Sequence, residues 1–166
     1  MSTDELRRRH IRNFNELELE QQERAPLYDT RCASILRGTA ARKLGASIDV
    51  LAPGKSGCPY HAHHAQEELF IVIEGEGTLR LAGEQLTIQA GDVIAIPPGA
   101  ATPHQIINTS DAPLKFLSIS TRDSPELVEY PDSGKYMIRS DANGDGEAFV
   151  RIHRAPDALD YWDGEA

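Results

Sequence analysis

Residues 59–75 read PYHAHHAQEELFIVIEG and hold a dense group of potential metal ligands. His61 and His63 are two residues apart, so on a strand both imidazoles point to the same face, with Cα atoms roughly 7 Å apart. Glu68 follows His63 at an odd offset, which would put it on the opposite face of an unbroken strand. The polar residues 64–67 therefore predict a turn that brings Glu68 back to the same interior. The stretch predicts two strands that share one metal site.

A second stretch, residues 91–108, reads GDVIAIPPGAATPHQIIN and supplies one more histidine. His104, Ile106 and Asn108 share one face by strand alternation, and an inward His104 would be a fourth ligand. Three imidazoles and one carboxylate suit Mn, Fe, Co, Ni, Cu or Zn, and suit Ca or Mg poorly. We expect one divalent transition metal ion, its identity left open by the sequence. The predicted metal ligands are His61, His63, Glu68 and His104.

Bulk composition limits the class of protein. The chain has 166 residues, of which 40% are hydrophobic and 26% charged, as in one ordinary globular domain. Its net charge of -9 argues against nucleic acid or an anionic membrane as partner. Cys32 and Cys58 form no disulfide framework, and the N-terminus has no apolar run of signal-peptide length. We expect a cytoplasmic, soluble protein that acts on a small molecule.

Turn signals recur every eight to twelve residues or so between positions 44 and 120, without a credible helix pattern, which indicates an all-β sandwich or barrel. The run ELFIVI at 68–73 has apolar residues on both faces and predicts a strand covered on both sides.

The N-terminal arm, residues 1–30, is charged. Ser2 and Glu5 fit a capping box for a short helix, and a poorly ordered arm is the alternative. We divide the chain into this arm, a β-barrel at 31–125 and a C-terminal extension at 126–166 packed on the barrel.

These motifs resemble those of the cupin superfamily, whose first motif is usually written G-x5-H-x-H-x3,4-E-x6-G. Here His61-x-His63-x4-Glu68-x6-Gly75 matches from the first histidine onward, and Lys55 stands where the leading glycine is expected. The spacing of six residues before Gly75 selects Glu68 rather than Glu67 as the motif glutamate.

The second cupin motif is usually written G-x5-P-x-G-x2-H-x3-N. Gly91-x5-Pro97-x-Gly99 and His104-x3-Asn108 both fit, although four residues rather than two separate Gly99 from His104. The resemblance implies a single-domain jelly-roll β-barrel with irregular N- and C-terminal extensions, which holds the metal inside its mouth. It also implies a homodimer, often formed by exchange of an edge strand. The outer positions Leu69, Ile71 and Ile73 fit either such a contact or packing against the other sheet.

Three functions remain open at this point. The C-terminal residues look like those of small uncharacterised bacterial cupins, some assigned as sugar-phosphate isomerases, so the first is a metal-dependent isomerase or epimerase of a sugar or sugar phosphate. The second is a metal-dependent dioxygenase, which predicts an apolar pocket wall. The third is a non-catalytic sensor or storage protein. Candidates for that apolar wall are Phe70, Val72, Ile94, Ile96 and Ile106.

The isomerase hypothesis needs a proton carrier, for which Tyr60, His64 and Glu67 are the catalytic candidates near the ligands. A phosphate group would need a cation. The candidates for that cation are Arg42, Lys43, Lys55 and Arg80. Near the C-terminus, the pair Tyr161 and Trp162 predicts either a lid over the site or a packing contact.

Overall fold

The computed structural model describes residues 1–141, 148–154 and 159–165, so parts of the predicted C-terminal extension lie outside the described residues. One α-helix, α1 (Thr3–His10), precedes the strands. The strands are β1 (Glu20–Arg24), β2 (Tyr28–Ser34), β3 (Leu44–Leu51), β4 (Ala62–His63), β5 (Glu68–Glu74), β6 (Glu76–Leu81), β7 (Glu84–Gln89), β8 (Val93–Ile96), β9 (His104–Ile107), β10 (Leu114–Thr121), β11 (Glu126–Tyr130), β12 (Lys135–Ser140) and β13 (Phe149–Arg154). Short 3-10 turns occupy Phe14–Glu16 and Pro131–Ser133.

The N-terminal residues are ordered by a capped helix and a hairpin. The Ser2 side chain accepts a hydrogen bond from the Glu5 amide, and the Glu5 carboxylate accepts one from the Ser2 amide, which confirms the predicted capping box. Further along the predicted arm, β1 pairs antiparallel with β2, which in turn pairs with β3. Residues 20–24 therefore extend the main sheet as its edge strand.

In the part of the chain that the structure describes, antiparallel strands form three hydrogen-bonded sheets. The first has the order β1-β2-β3-β10-β5-β8, the second β7-β6-β9 and the third β13-β12-β11-β4. The predicted all-β jelly-roll is confirmed, but as a sandwich: the described strands are not hydrogen-bonded into a closed barrel. The helix in the described residues is too short to cross a membrane.

Strand β5 shows how the sequence pattern builds the core. Phe70 and Val72 are buried on its inner face, while Leu69, Ile71 and Ile73 on the other face are half-buried. The two faces alternate as expected, but the predicted cover on both sides is only partial, because the outer face is half-buried. Each fully buried side chain of this size contributes about 1.5–3 kcal/mol. The inner-face cluster comprises Leu51, Phe70, Val72, Leu79, Ile88, Ile94, Ile96, Ile106, Leu114 and Phe116.

Asn108 fixes the end of β9 against β3. Its side chain is fully buried, and its amide donates hydrogen bonds to the carbonyls of Leu51 and Ala112 at 3.0 and 2.8 Å. Its side-chain oxygen accepts from the Ser110 amide and hydroxyl. Because every polar atom of this buried amide has a partner, it holds the strand that carries His104 in one position.

The C-terminal extension reaches the histidine-bearing segment through sheet pairing. Val128 of β11 lies opposite His63 of β4, so the third sheet begins at the predicted ligand. Near the C-terminus, Tyr161 and Trp162 are 83% and 70% exposed, and their rings meet edge to face at 4.8 Å. In the described residues this pair projects into solvent.

Candidate metal centre

The two histidine stretches meet through their backbones. The His61 amide donates to the His104 carbonyl at 3.1 Å, and the His104 amide donates to the His61 carbonyl at 2.7 Å. This isolated bridge places the two ring centroids 4.6 Å apart. The predicted convergence of the two stretches therefore occurs directly at two of the expected ligands.

Backbone carbonyls set the tautomers of these two rings. Nδ1 of His61 lies 2.8 Å from the Pro59 carbonyl, and Nδ1 of His104 lies 3.2 Å from the Thr102 carbonyl. A carbonyl only accepts, so Nδ1 carries the proton in both rings and Nε2 keeps a free lone pair. Metal-binding histidines are held in the same way, with the second ring nitrogen donating to a carbonyl or carboxylate.

Glu68 completes a group of three potential ligands. His61, Glu68 and His104 each offer one ligand atom within 4.8 Å of the others, and we call them the metal cluster. Oε2 of Glu68 lies 2.8 Å from Nε2 of His104, yet the two do not meet hydrogen-bond geometry, and neither atom has a hydrogen-bond partner among the described residues. Ligand atoms at about 2.1 Å from an ion and at right angles to each other are about 3.0 Å apart. The buried, unpartnered atoms therefore fit a shared divalent ion.

His63 lies beside the metal cluster. Its Nε2 is 3.5 Å from Oε2 of Glu68, and its ring centroid is 4.9 Å from that of His61. The other ring nitrogen, Nδ1, lies 3.8 Å from a carboxylate oxygen of Glu126. This arrangement brings His63 within reach of an ion at the cluster.

Burial and neighbouring side chains keep the ligands of the metal cluster in the protonation states that bind a cation. Burial, together with the neighbouring His104, lowers the pKa of His61 to about 4, so the imidazole is neutral at pH 7 and able to ligate. For Glu68, burial alone would raise the pKa, but the adjacent His104 and the other histidines hold it below its ordinary value. The carboxyl group is therefore an anionic donor at neutral pH.

The turn between His63 and Glu68 is held by Glu126, which sequence reasoning missed. This residue is 3% exposed, and its carboxylate accepts hydrogen bonds from the amides of His64, Ala65 and Gln66. The predicted turn is confirmed, and a buried carboxylate on β11 fixes its shape. The signal in the sequence was an acidic residue, Glu126, on the same face of β11 as the buried Val128 two residues later.

The three predicted catalytic residues have other contacts. The Tyr60 hydroxyl accepts a hydrogen bond from the Gly83 amide at 2.9 Å. His64 pairs through Nε2 with Glu129 at 3.0 Å, and Glu67 is exposed on the turn. None of the three lines the cavity beside the metal cluster.

That cavity has a volume of about 220 Å³ and runs from the metal cluster between the sheets. Phe70, Ile106 and Phe116 form its apolar part, which includes two of the predicted wall residues. Ser47, Asp49 and Ser118 form a second side that we call the polar wall. The full lining is Ser47, Asp49, Gly57, Cys58, His61, Glu68, Phe70, His104, Ile106, Phe116 and Ser118.

Two ionisable groups of the lining stand outside the metal cluster. Although Cys58 is exposed as a residue, desolvation of its thiol at the cavity raises the pKa to about 12, with smaller contributions from Glu68 and Asp49, so the thiol stays protonated at neutral pH. Burial also raises the pKa of Asp49, although the Ser47 hydroxyl, which donates to it at 2.6 Å, opposes the shift. Asp49 is therefore a carboxyl group with an altered acidity inside the cavity.

The predicted phosphate ligands lie elsewhere. Lys55 donates to the Pro26 carbonyl at 2.6 Å, and Arg80 forms a bidentate pair with Asp132 at 2.6 and 2.9 Å. Arg42 and Lys43 are exposed. Among the described residues that line the cavity, none is lysine or arginine.

Comparison with known proteins agrees with this architecture. Residues 47–120 match the family model of the cupin domain. An uncharacterised protein of Methanocaldococcus jannaschii is 38% identical over 111 residues, which cover 61% of this chain and 87% of that protein. The matched domain contains the whole metal cluster and stops before β11.

Solved structures extend the likeness to nearly the whole chain. A candidate sugar phosphate isomerase from Acidithiobacillus ferrooxidans superposes with a TM-score of 0.76 at 24% identity, covering 96% of this chain and 94% of that one. A sugar phosphate isomerase of the cupin superfamily from Silicibacter pomeroyi gives 0.75 at 22% identity, covering 92% and 98%. These two similarities concern the fold. With the domain match, the M. jannaschii relative and the ligand motifs, they identify this chain as a member of the cupin superfamily.

Proposed function

We propose that this cupin is a metal-dependent isomerase or epimerase of a sugar or sugar phosphate. The observation that carries the proposal is the cavity, which joins a metal-binding cluster to a wall of hydroxyl and carboxyl groups. A polyhydroxylated substrate needs both, because one end must be activated and the remaining hydroxyls must find partners in a buried space.

The proposed metal ligands are His61, His63, Glu68 and His104. A divalent ion bound there would polarise the carbonyl and hydroxyl oxygens of the substrate. Four protein ligands leave one or two positions open on a five- or six-coordinate ion, which substrate oxygens would occupy. The fixed Nδ1–H tautomers of His61 and His104 keep the Nε2 lone pairs of both rings free for that ion.

Proton transfer between adjacent carbons needs an ionisable group in the cavity. The Cys58 thiol, with a pKa of about 12, keeps its proton at neutral pH and therefore cannot act as the base. Asp49 is a better carrier, because burial raises its pKa above the ordinary value for an aspartate and it lines the same space. We therefore propose Asp49 as the proton carrier, in preference to Tyr60, His64 and Glu67.

Solvent deuterium exchange tests the proposal directly. The metal-loaded protein is incubated in deuterated water with a panel of pentoses, hexoses and their phosphates, and carbon-bound deuterium is followed by NMR. We expect incorporation at the carbon next to the carbonyl of at least one sugar, with loss of exchange in Asp49→Asn. Binding without any exchange would instead support a non-catalytic sensor or storage protein.

A metal-dependent dioxygenase is the second candidate function, favoured by the aromatic and aliphatic side chains of Phe70, Ile106 and Phe116 in the cavity. Such a lining suits an apolar substrate beside an oxygen-binding ion. Oxygen consumption by the iron-loaded protein with catechols, thiols and diketones separates the two functions. Consumption above that of the metal-free protein would favour the dioxygenase over the isomerase.

A further inference from the structure

The cavity has two ends of different chemistry. The metal cluster forms one end, and the polar wall comes from the neighbouring strands β3 and β10. Ser118 lies directly opposite Ser47, and Asp49 lies opposite Phe116, so these side chains share the inner face of the sheet. A ligand bound at the metal cluster therefore extends toward a row of hydroxyl and carboxyl groups.

Asp49 retains hydrogen-bonding capacity toward the cavity. Within the described residues its carboxyl group has one side-chain partner, the Ser47 hydroxyl, on Oδ2. A carboxylate has about four acceptor positions on two oxygens, so most of its capacity is open. A half-buried carboxyl group with open acceptor positions is stabilised when ligand hydroxyls donate to it.

The charges around Asp49 disfavour a second anion. Cys32 lies opposite it on β2 and Phe116 lies opposite it on β10, while Cys58 and Glu68 line the same cavity. None of these groups is a cation, and no lysine or arginine occurs among the described lining residues. Beyond the reach of the proposed metal ion, a phosphate in this space would lie near the Asp49 carboxylate without the charged donors that phosphate sites use.

We propose that the polar wall, with Asp49 at its centre, binds hydroxyl groups of the metal-bound ligand and selects a free sugar or polyol over its phosphate ester. The volume of about 220 Å³ is below the usual range for drug-sized ligands, which fits a short-chain compound. The inference narrows the substrate class of the proposed isomerase and rests on that function for turnover. Its binding component is independent of turnover.

Calorimetry with an unreactive ligand tests the subsite. The zinc- or manganese-loaded protein is titrated with xylitol and with xylitol 5-phosphate. We expect xylitol to bind at least about tenfold more tightly than the phosphate ester. In Asp49→Ala the affinity for xylitol should fall about three- to tenfold, as for the loss of one hydrogen bond.

Variants that keep the fold sharpen the test. Asp49→Asn retains a side chain that can accept from Ser47 but removes the negative charge, so discrimination against the phosphate ester should weaken. Asp111→Asn makes the same change on an exposed turn and should leave both affinities unchanged. Circular dichroism and metal content establish that each variant is folded and loaded.

Three results would overturn the subsite: tighter binding of the phosphate ester to the unmodified protein, no binding of xylitol to it, or an affinity of Asp49→Ala for xylitol equal to that of the unmodified protein. Failure of the isomerase proposal looks different. Asp49-dependent xylitol binding without deuterium exchange on any sugar supports the subsite and removes the isomerase. Exchange on sugar phosphates alone, with tighter binding of the phosphate ester, supports the isomerase and removes the subsite.

Discussion

The two stretches that carry the metal ligands are held in place by different means. In the stretch 91–108, His104 lies in β9, pairs with Leu81 of β6 and is 1% exposed, so sheet register fixes its position. In the stretch 59–75, β4 is only two residues long, and His61 lies just outside it. The turn that follows is shaped by the carboxylate of Glu126, some sixty residues further along the chain.

This difference shows that ligand spacing and ligand orientation have separate origins in the sequence. The spacing of all four expected ligands lies within the matched cupin domain, residues 47–120. The group that orients the first stretch, Glu126, lies on β11 beyond that domain. A part of the chain outside the family motifs therefore supports the metal centre. Substitutions at His104 and at Glu126 separate the contribution of sheet register from that of the turn.

Removal of the strand-held ligand should have the largest effect. We expect His104→Ala to weaken metal binding by more than about 100-fold, beyond the usual effect of changing a residue that only orients a ligand. His104→Gln, which keeps more of the buried volume, should do the same. Metal content after dialysis and competition with a coloured chelator give the affinity.

His153→Ala is the matched control, because this histidine is exposed on β13 and its ring lies near Tyr136, away from the cluster. It should retain full metal content. Unchanged metal content in both His104 variants would show that the cluster is not the metal site.

Loss of the orienting carboxylate should have a smaller effect on the same affinity. Glu126→Gln replaces one acceptor oxygen by an NH₂ group, so that two donors face each other where the carboxylate accepted from a backbone N–H of the turn. The substitution also removes the negative charge beside His63. We expect metal affinity to fall about 10- to 100-fold, as for other residues that orient metal ligands. Glu129→Gln is the control on the same strand, since Glu129 pairs with His64 on the surface side. Equal affinities in the two variants would mean that the first stretch is positioned without β11.

The same division explains how much the sequence could predict. Strand alternation and turn chemistry are local, and they correctly gave the buried faces of β5 and β9, the turn after His63 and the inward position of His104. Glu126 and Asp49 were not predicted, because their roles depend on contacts between strands that are distant in sequence. Likewise, the charged pattern of residues 20–24 suggested an arm, whereas pairing with β2 makes it an edge strand whose five residues are all exposed.

Two motif glycines extend the comparison from metal binding to stability. Gly75 ends the first motif with φ of 84°, and a Cβ added there would lie 2.5 Å from the Pro113 carbonyl oxygen. Gly99 in the second motif has φ of 119°, but a Cβ there would meet nothing within 4 Å. Both positions disfavour a side chain through backbone strain, yet only Gly75 adds a clash with a neighbouring backbone segment.

Alanine at the two positions should therefore destabilise the protein unequally. We expect Gly99→Ala to cost about 1 kcal/mol in the free energy of unfolding, and Gly75→Ala to cost at least about 1 kcal/mol more. For a chain of this size, that difference corresponds to about 2–4 °C in Tm for each kcal/mol. Thermal unfolding of both metal-free variants measures it without any contribution from the ion. Equal values of Tm would mean that the loop at Pro113 moves aside at little cost. The end of β5 would then be less tightly packed against β10 than the end of β9 is against its neighbours, where Asn108 has all its hydrogen bonds.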